Sequence, residues 1–506
     1  MMQKPISAAE ADRAAASKAA TPIRVTIVTL DSHMATTLDR ARNILVRELP
    51  GLQISLHAAT EMGADEERQE ACRRDIADAD IIIAHMIFME DQVNLIKPWV
   101  EARRGNCDAV VGCLAAADIV KLTKLGDFNM SNPTGGALGF LKRLRGKSSG
   151  GSHGGRHQMR LLRQLPKFLK YIPGKAQDVR AYFLTLQYLL AASEENLVNL
   201  VRFLVQRYAD GPRRGLRQLV DGTEPLSYPD VGLYSRNLKH GVTDNLEVYL
   251  RETSLKKPVG TVGVLVMRSY VLAKNTAHYD GVITALRARG LNVITAFASG
   301  LDGRPAVEKF FMRDGKSTVD AVVSLTGFSL VGGPAYNDAK AAEEALAALD
   351  VPYISAFASE FQTLQSWASS EQGMTPVEAT IMVAIPEIDG ATGPIVFGGR
   401  SDGSGPASYG DTPSATAENI DPRDMQPCVE RCEMLAARVA KLVRLRRKPK
   451  SERRVATVLY NFPPNGGATG TAAYLSVFQS LFNTLKSMKA EGYSVDVPES
   501  VDALRE

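Results

Sequence analysis

Between residues 22 and 126, short β-branched and aliphatic runs alternate with longer stretches whose apolar positions recur every three or four residues. Ile23–Leu30, Gln53–His57, Ala79–His85 and Ala109–Leu114 read as buried strands, with helical patterns over Ala35–Glu48, Asp65–Ile76 and Glu90–Arg103 between them. Strands separated by whole helices cannot close as hairpins, so this pattern predicts a parallel, doubly wound sheet. The same alternation returns over 258–400. Strands are expected at Val262–Met267, Val293–Phe297, Ala321–Leu325 and Tyr353–Phe357, and helices at His278–Arg289, Pro305–Arg313, Asn337–Leu349 and Phe361–Ala368. One internal echo, Ile294–Ser299 against Ile354–Ser359, fits a single strand-to-loop solution used twice in one sheet.

Between and around these units the pattern changes. Residues 1–21 form an alanine-rich leader expected to be disordered, and 127–158 a Gly/Ser-rich, basic insertion expected to be flexible. Residues 159–257 turn helical: Leu161, Leu165, Phe168 and Leu169 share a face, and so do Tyr182, Leu186, Leu189 and Leu190. An extended loop and a helix follow over 401–452. From 453 to 506 a third α/β unit begins, with a strand at Val455–Leu459, a loop of prolines and glycines, and a helix over Ala473–Met488. Ser500 reads as the N-cap of a last, short helix. The predicted fold is α/β: tandem doubly wound parallel-sheet domains separated by a helical connecting domain, the second flavodoxin-like.

With 506 residues, 45% of them hydrophobic, the chain can form several domains, and its formal charge of +4 carries no global nucleic-acid signature. The charge is locally concentrated. Lys142 to Lys175 contains ten Lys/Arg and no acid, and a second basic run spans Lys441–Arg454, broken only by Glu452. Such patches suit an acidic ligand or partner, or peripheral contact with a membrane; the plainer reading is a solvated face. Lys142, Arg143, Arg145 and Lys147 are the candidate contacts. The five cysteines make an odd set without zinc spacing, Cys72, Cys107 and Cys113 reading as buried thiols. With acids in the leader and no apolar run long enough to span a bilayer, the expectation is a soluble, cytoplasmic protein without a transmembrane segment.

Most of the familiar catalytic and nucleotide-binding motifs are absent. Gly146-Lys147-Ser148 and Gly315-Lys316-Ser317 lack the earlier glycine of a P-loop, because Leu141 and Phe310 stand there. No Gly-x-Gly-x-x-Gly follows a predicted strand, and no Gly-x-Ser-x-Gly elbow occurs. His153 and His157 are four apart, but Gly154 and Gly155 between them argue against a helical metal site. His85 reads as a satisfied histidine at a sheet edge, and Trp99 and Trp367 as core anchors. Open α/β sheets bind ligands beyond the carboxyl ends of their strands. In the second unit those ends carry Arg268, Tyr270, His278, Phe328 and Glu360, which are expected to face one crevice. The competing reading makes His278 a helix cap and Glu360 a loop closure.

Several long strings carry a family resemblance. They are Leu459-Tyr460-Asn461-Phe462-Pro463-Pro464-Asn465-Gly466-Gly467-Ala468-Thr469-Gly470-Thr471-Ala472, the run from Met267 to Asp280, Ser324 to Ala335, and Ala176 to Leu184. Together they resemble the large subunits of magnesium chelatase and their cobaltochelatase relatives. His278-Tyr279-Asp280 and the Gln177–Leu184 run favour the magnesium side. The resemblance implies binding of protoporphyrin IX, with Mg2+ as a substrate of the complex. It also implies ATP hydrolysis by AAA+ ATPase and adaptor partner subunits rather than here, in chlorophyll or bacteriochlorophyll biosynthesis.

The family's large subunit is more than twice as long, so the resemblance implies an incomplete amino-terminal portion, inactive alone, with its catalytic residues expected beyond Glu506. No catalytic residue or metal ligand is carried to a numbered position. The alternatives are a cobaltochelatase large subunit, a non-catalytic tetrapyrrole-binding paralogue, or a generic flavodoxin-like binder.

Overall fold

The computed structural model describes residues 21–130 (except 31 and 64), 165–333 (except 239 and 240), 336–401, 424–460, 470 and 475–506. Strands β1 (Ile23–Thr29), β2 (Leu52–Ala58), β3 (Ile81–His85) and β4 (Ala109–Cys113) form the parallel part of a sheet in the order β2-β1-β3-β4. The two-residue strands β5 (Lys124–Leu125) and β6 (Phe128–Asn129) extend it antiparallel. Every residue of β3 and β4 is buried, as a parallel strand covered on both faces requires.

Period two sorts the two faces. Val28, Ile82, Ala84 and Val110 pack on helices α2 (Glu66–Asp78) and α3 (Glu90–Arg104) through Cys72, Ile76, Ile96 and Val100. Ile23, Val25, Ile27, Ile83 and Val111 face α1 (Ala35–Leu45) and two later helices, α4 (Lys175–Leu190) and α5 (Glu194–Tyr208). Helix α5 is written plainly in the chain. Ser193 caps it by accepting from the Asn196 amide, Glu194 and Glu195 meet the positive end, and Leu197, Leu200, Val201 and Leu204 make its buried stripe. These helices share one core with the first sheet instead of standing apart from it.

The second sheet has eight strands. Strands β7 (Val231–Tyr234) and β8 (Val242–Thr243) arise inside the stretch expected to be helical. They are too short and too close to Gly and Pro for periodicity to reveal them. Strands β9 (Gly260–Leu265), β10 (Leu291–Ala298), β11 (Ala321–Ser324), β12 (Tyr353–Thr363) and β13 (Thr392–Arg400) are parallel, and β14 (Gln426–Pro427) is antiparallel. The order is β14-β13-β12-β11-β9-β10-β7-β8, so the parallel core follows flavodoxin-like winding with its switch point between β9 and β11. One face packs on α6 (Ala277–Ala288) and α8 (Val429–Arg447), the other on Arg304–Phe310 and α7 (Ala339–Leu349). The echoed segments do lie in one sheet, but β10 ends at Ala298 whereas β12 runs on to Thr363.

The expected strand Val455–Leu459 does not form among the described residues. The segment has no regular secondary structure and pairs with no sheet edge, and Val455 and Val458 are exposed. A strand needs a partner for its backbone groups, and none pairs with it here. Helix α9 (Val477–Ala490) follows, and Ser500 caps α10 (Val501–Arg505) by accepting from the Ala503 amide. The signature run 461–469 and 471–474, the leader, the insertion with Lys142, Arg143, Arg145 and Lys147, and His153 and His157 lie outside the described residues.

Candidate functional site: a seam between two carboxyl edges

The two sheets turn their carboxyl edges toward each other. Ser32 and His33 follow β1, Glu61 follows β2, Tyr270 and Asn275 follow β9, Glu360 lies in the carboxyl part of β12, and Arg400 closes β13. Between them is a narrow crevice lined by Ser32, His33, Tyr270, Asn275, Glu360, Arg400 and Met425.

Its walls are extensively bonded. The Tyr270 hydroxyl donates to Glu360 Oε1 at 3.0 Å. Arg400 Nε donates to the Glu360 carbonyl at 2.6 Å, while its Nη1 lies 3.1 Å from Glu61 Oε1 on the first sheet. Asn275 is buried and bridges, donating to the His33 carbonyl at 3.3 Å and accepting from the Met425 amide at 2.9 Å. Thr37 and Arg40 of α1 both donate to the Ala273 carbonyl, and Thr36 donates to Asp424 at 2.5 Å.

Behind Tyr270 runs an aromatic column. The His33 and His278 rings each lie 5.4 Å from that of Tyr270, and His278 stacks on Phe397 at 5.8 Å and 9°. His278 is buried, its Nδ1 has no hydrogen-bond partner, and burial pushes its pKa down to about 3. It is a neutral imidazole at any physiological pH. It does not cap the helix: Thr276 holds the N-cap position, and its hydroxyl donates to Asp280.

The other predicted residues lie elsewhere. Phe328 lines a separate small hollow with Met267, Phe297, Leu301, Ser324 and Thr326, at the β9/β11 switch point. Arg268 lines neither space. Its buried guanidinium donates to the carbonyls of Leu190 (2.9 Å), Pro229 (2.9 Å) and Tyr228 (3.3 Å). The expectation of one crevice for all five is therefore corrected. Tyr270 and Glu360 meet, His278 backs them, Phe328 faces another hollow, and Arg268 ties the second sheet's edge to the end of α4 and to the segment before β7. The physical reason is that the short helix Arg268–Leu272 turns successive side chains in different directions. His33, Glu61 and Arg400 were missed, although the strand-end rule that found Tyr270 also applies to β1, β2 and β13.

Among the described residues no group of three or more His, Cys, Asp or Glu could hold a metal ion, and no helix is long and apolar enough to cross a membrane. All five cysteines are free and buried, and burial pushes the Cys113 thiol up to about 12, so it is an inert core group.

Residues 186–506 match the family model CobN/Magnesium Chelatase, more than half of the chain. The chain belongs to the CobN/magnesium chelatase family. Residues 24–183 match a domain of unknown function, DUF3479. The H subunit of magnesium chelatase from Cereibacter sphaeroides is 50% identical over 485 residues, covering 95% of this chain and 40% of that protein. The chloroplastic magnesium-chelatase protein ChlH of Oryza sativa is 34% identical, covering 96% and 34%. The aerobic cobaltochelatase protein CobN of Pseudomonas aeruginosa is 29% identical over 278 residues, covering 54% and 20%. The catalytic subunit of cobaltochelatase from Mycobacterium tuberculosis shares the fold, with a TM-score of 0.50 at 17% identity over 96% of this chain and 33% of that one. The chain thus spans about 40% of the length of the Cereibacter protein.

Proposed function

We propose that this chain forms part of the porphyrin-binding large subunit of a cytoplasmic magnesium chelatase, in chlorophyll or bacteriochlorophyll biosynthesis. The complex inserts Mg2+ into protoporphyrin IX, and partner subunits of the AAA+ type hydrolyse the ATP. The observation that carries this reading is the near-complete coverage of the chain by the large subunits of magnesium chelatases, against about half by the cobaltochelatase protein. The missing P-loop agrees with ATP being used elsewhere.

Insertion removes two pyrrole N–H protons and strips tightly held water from Mg2+, so it calls for a base and oxygen donors. In the seam, Glu360 accepts from Tyr270 and Glu61 pairs with Arg400. The Glu61 pair crosses between the two sheets and the Glu360 bond lies within the second, and no residue of this chain is assigned as the base. The role proposed for this stretch is porphyrin handling and partner docking, with Lys142, Arg143, Arg145 and Lys147 as contacts for propionates or an acidic partner.

The test is a fluorescence titration of the 506-residue chain with a soluble protoporphyrin analogue, a porphyrin without free carboxylates and a corrin-type macrocycle. Half-buried Trp99 and Trp367 report quenching. Saturable quenching by the carboxylated porphyrin alone, weakened at low salt by replacing the four basic residues with Ala, is expected. Preference for the corrin ligand would move the chain to the cobaltochelatase reading. No saturable binding would remove the porphyrin site from this stretch.

A further inference from the structure

An apolar and cationic protrusion precedes α4. In Leu165-Pro166-Lys167-Phe168-Leu169-Lys170-Tyr171-Ile172-Pro173-Gly174-Lys175, the first two residues are buried and anchor the segment. Phe168, Tyr171 and Ile172 then stand 70%, 84% and 50% exposed, interleaved with exposed Lys167, Lys170 and Lys175. Three large apolar side chains this open within five residues form a contiguous apolar patch rather than scattered single exposures.

The backbone beneath them is fixed. Gln177 of α4 donates from Nε2 to the carbonyls of Leu169 (2.8 Å), Lys170 (3.2 Å) and Ile172 (2.6 Å). Arg180 Nε donates to the Pro166 carbonyl at 3.1 Å. One acid lies close, Glu224, 4.0 Å from Lys170 Nζ, and Arg180 pairs with the same carboxylate at 2.7 Å. The protrusion also ends the acid-free run of ten Lys/Arg from Lys142 to Lys175.

From this arrangement we infer that the protrusion is a docking surface for a bilayer bearing anionic headgroups. Phe168, Tyr171 and Ile172 enter the interface while the lysine ammoniums reach the headgroups. Two features favour lipid over a protein groove. The cations here are lysines, which protein interfaces deplete and anionic lipid surfaces attract as point charges. The apolar set is two aromatics and an isoleucine on a short knuckle, suited to shallow insertion at headgroup depth. This inference does not depend on the proposed porphyrin chemistry.

The experiment is sedimentation of the whole 506-residue chain with phosphatidylcholine vesicles, either neutral or carrying about one third phosphatidylglycerol. Binding to the anionic vesicles alone, falling with salt, is expected. Phe168→Ser, Tyr171→Ser and Ile172→Ser together should lower partitioning at least about tenfold. Lys167→Gln, Lys170→Gln and Lys175→Gln together should lower it about a hundredfold at low ionic strength. Both variants change exposed side chains only, and unchanged thermal melts would show that they fold. Equal binding to neutral and anionic vesicles overturns the inference, as does binding that either triple variant leaves intact. Capture of an acidic protein without vesicle binding would make the knuckle a protein interface and also overturn it.

Discussion

Tyr270 donates its phenolic hydrogen to Glu360 across 3.0 Å, joining the helix that follows β9 to the carboxyl part of β12 beside the first sheet. The same glutamate offers its backbone carbonyl to Arg400, which reaches Glu61 on the other side of the seam. The bond therefore belongs to a chain of contacts that sets how the two carboxyl edges face each other. Tyr270→Phe keeps the ring and removes the donor. It should cost about 1–2 kcal/mol in urea unfolding, and Glu360→Gln should cost less because its amide can still accept. An unchanged midpoint for Tyr270→Phe would detach the bond from the stability of the seam.

Arg268 gives a sharper outcome, because an arginine just beyond a strand end is an obvious candidate for an anionic ligand group. Its three donors are spent on the carbonyls of Leu190, Tyr228 and Pro229. Arg268→Met should leave those carbonyls without this donor and destabilise the protein by about 2–4 kcal/mol, with faster proteolysis between Leu190 and Pro229. Lower porphyrin affinity at unchanged stability would restore Arg268 to a binding role.

His278 predicts a pH dependence. Burial lowers its folded pKa to about 3, below the 6.5 of a free imidazole, so over that window the unfolded chain binds the extra proton. Stability then rises with pH, and the contribution is lost as pH falls below 6.5 toward 3. His278→Phe keeps an aromatic ring against Phe397 and removes the titration. Between these limits the wild type should lose stability faster than the variant, by about 1.4 kcal/mol per pH unit. Parallel denaturation curves at about pH 6 and pH 4.5 for both proteins would refute this.

Gly112 is the penultimate residue of β4, where a Cβ would lie 2.3 Å from the Ile119 carbonyl oxygen. The obstacle is backbone, so it cannot rotate away. Gly112→Ala should cost about 2 kcal/mol or more, as overpacked cores do. A thermal melt of the whole chain checks this.

Much of the architecture follows from hydrophobic spacing. Ile81-Ile82-Ile83 and Ala109-Val110-Val111 can only be doubly covered strands, and Ser193-Glu194-Glu195 announces a helix that then keeps its stripe to Tyr208. What spacing cannot carry is which core a helix joins. Leu186 and Leu200 look the same whether they pack on each other or on Val25, and only long-range contact decides. The site was half accessible for a related reason. The strand-end rule finds Tyr270 and Glu360 because they lie close to β9 and in β12. It says nothing about direction, so it could not separate Arg268, turned toward Tyr228, or Phe328, turned into another hollow. Nor could it place His33 and Glu61 opposite, because the seam is made by two sheets whose meeting no local pattern encodes.

The shared core of α4, α5 and the first sheet bears on how the protein can be divided. Tyr182, Phe183, Leu197, Leu204 and Leu216 are as much a part of that core as Ile27 or Val111. A cut near residue 130, where the first sheet ends, would pass through the core and take α4 and α5 from the face of β1, β3 and β4 that they share with α1. The smallest excised fragment able to keep its shape runs from the first strand through Val220, the last residue of that core.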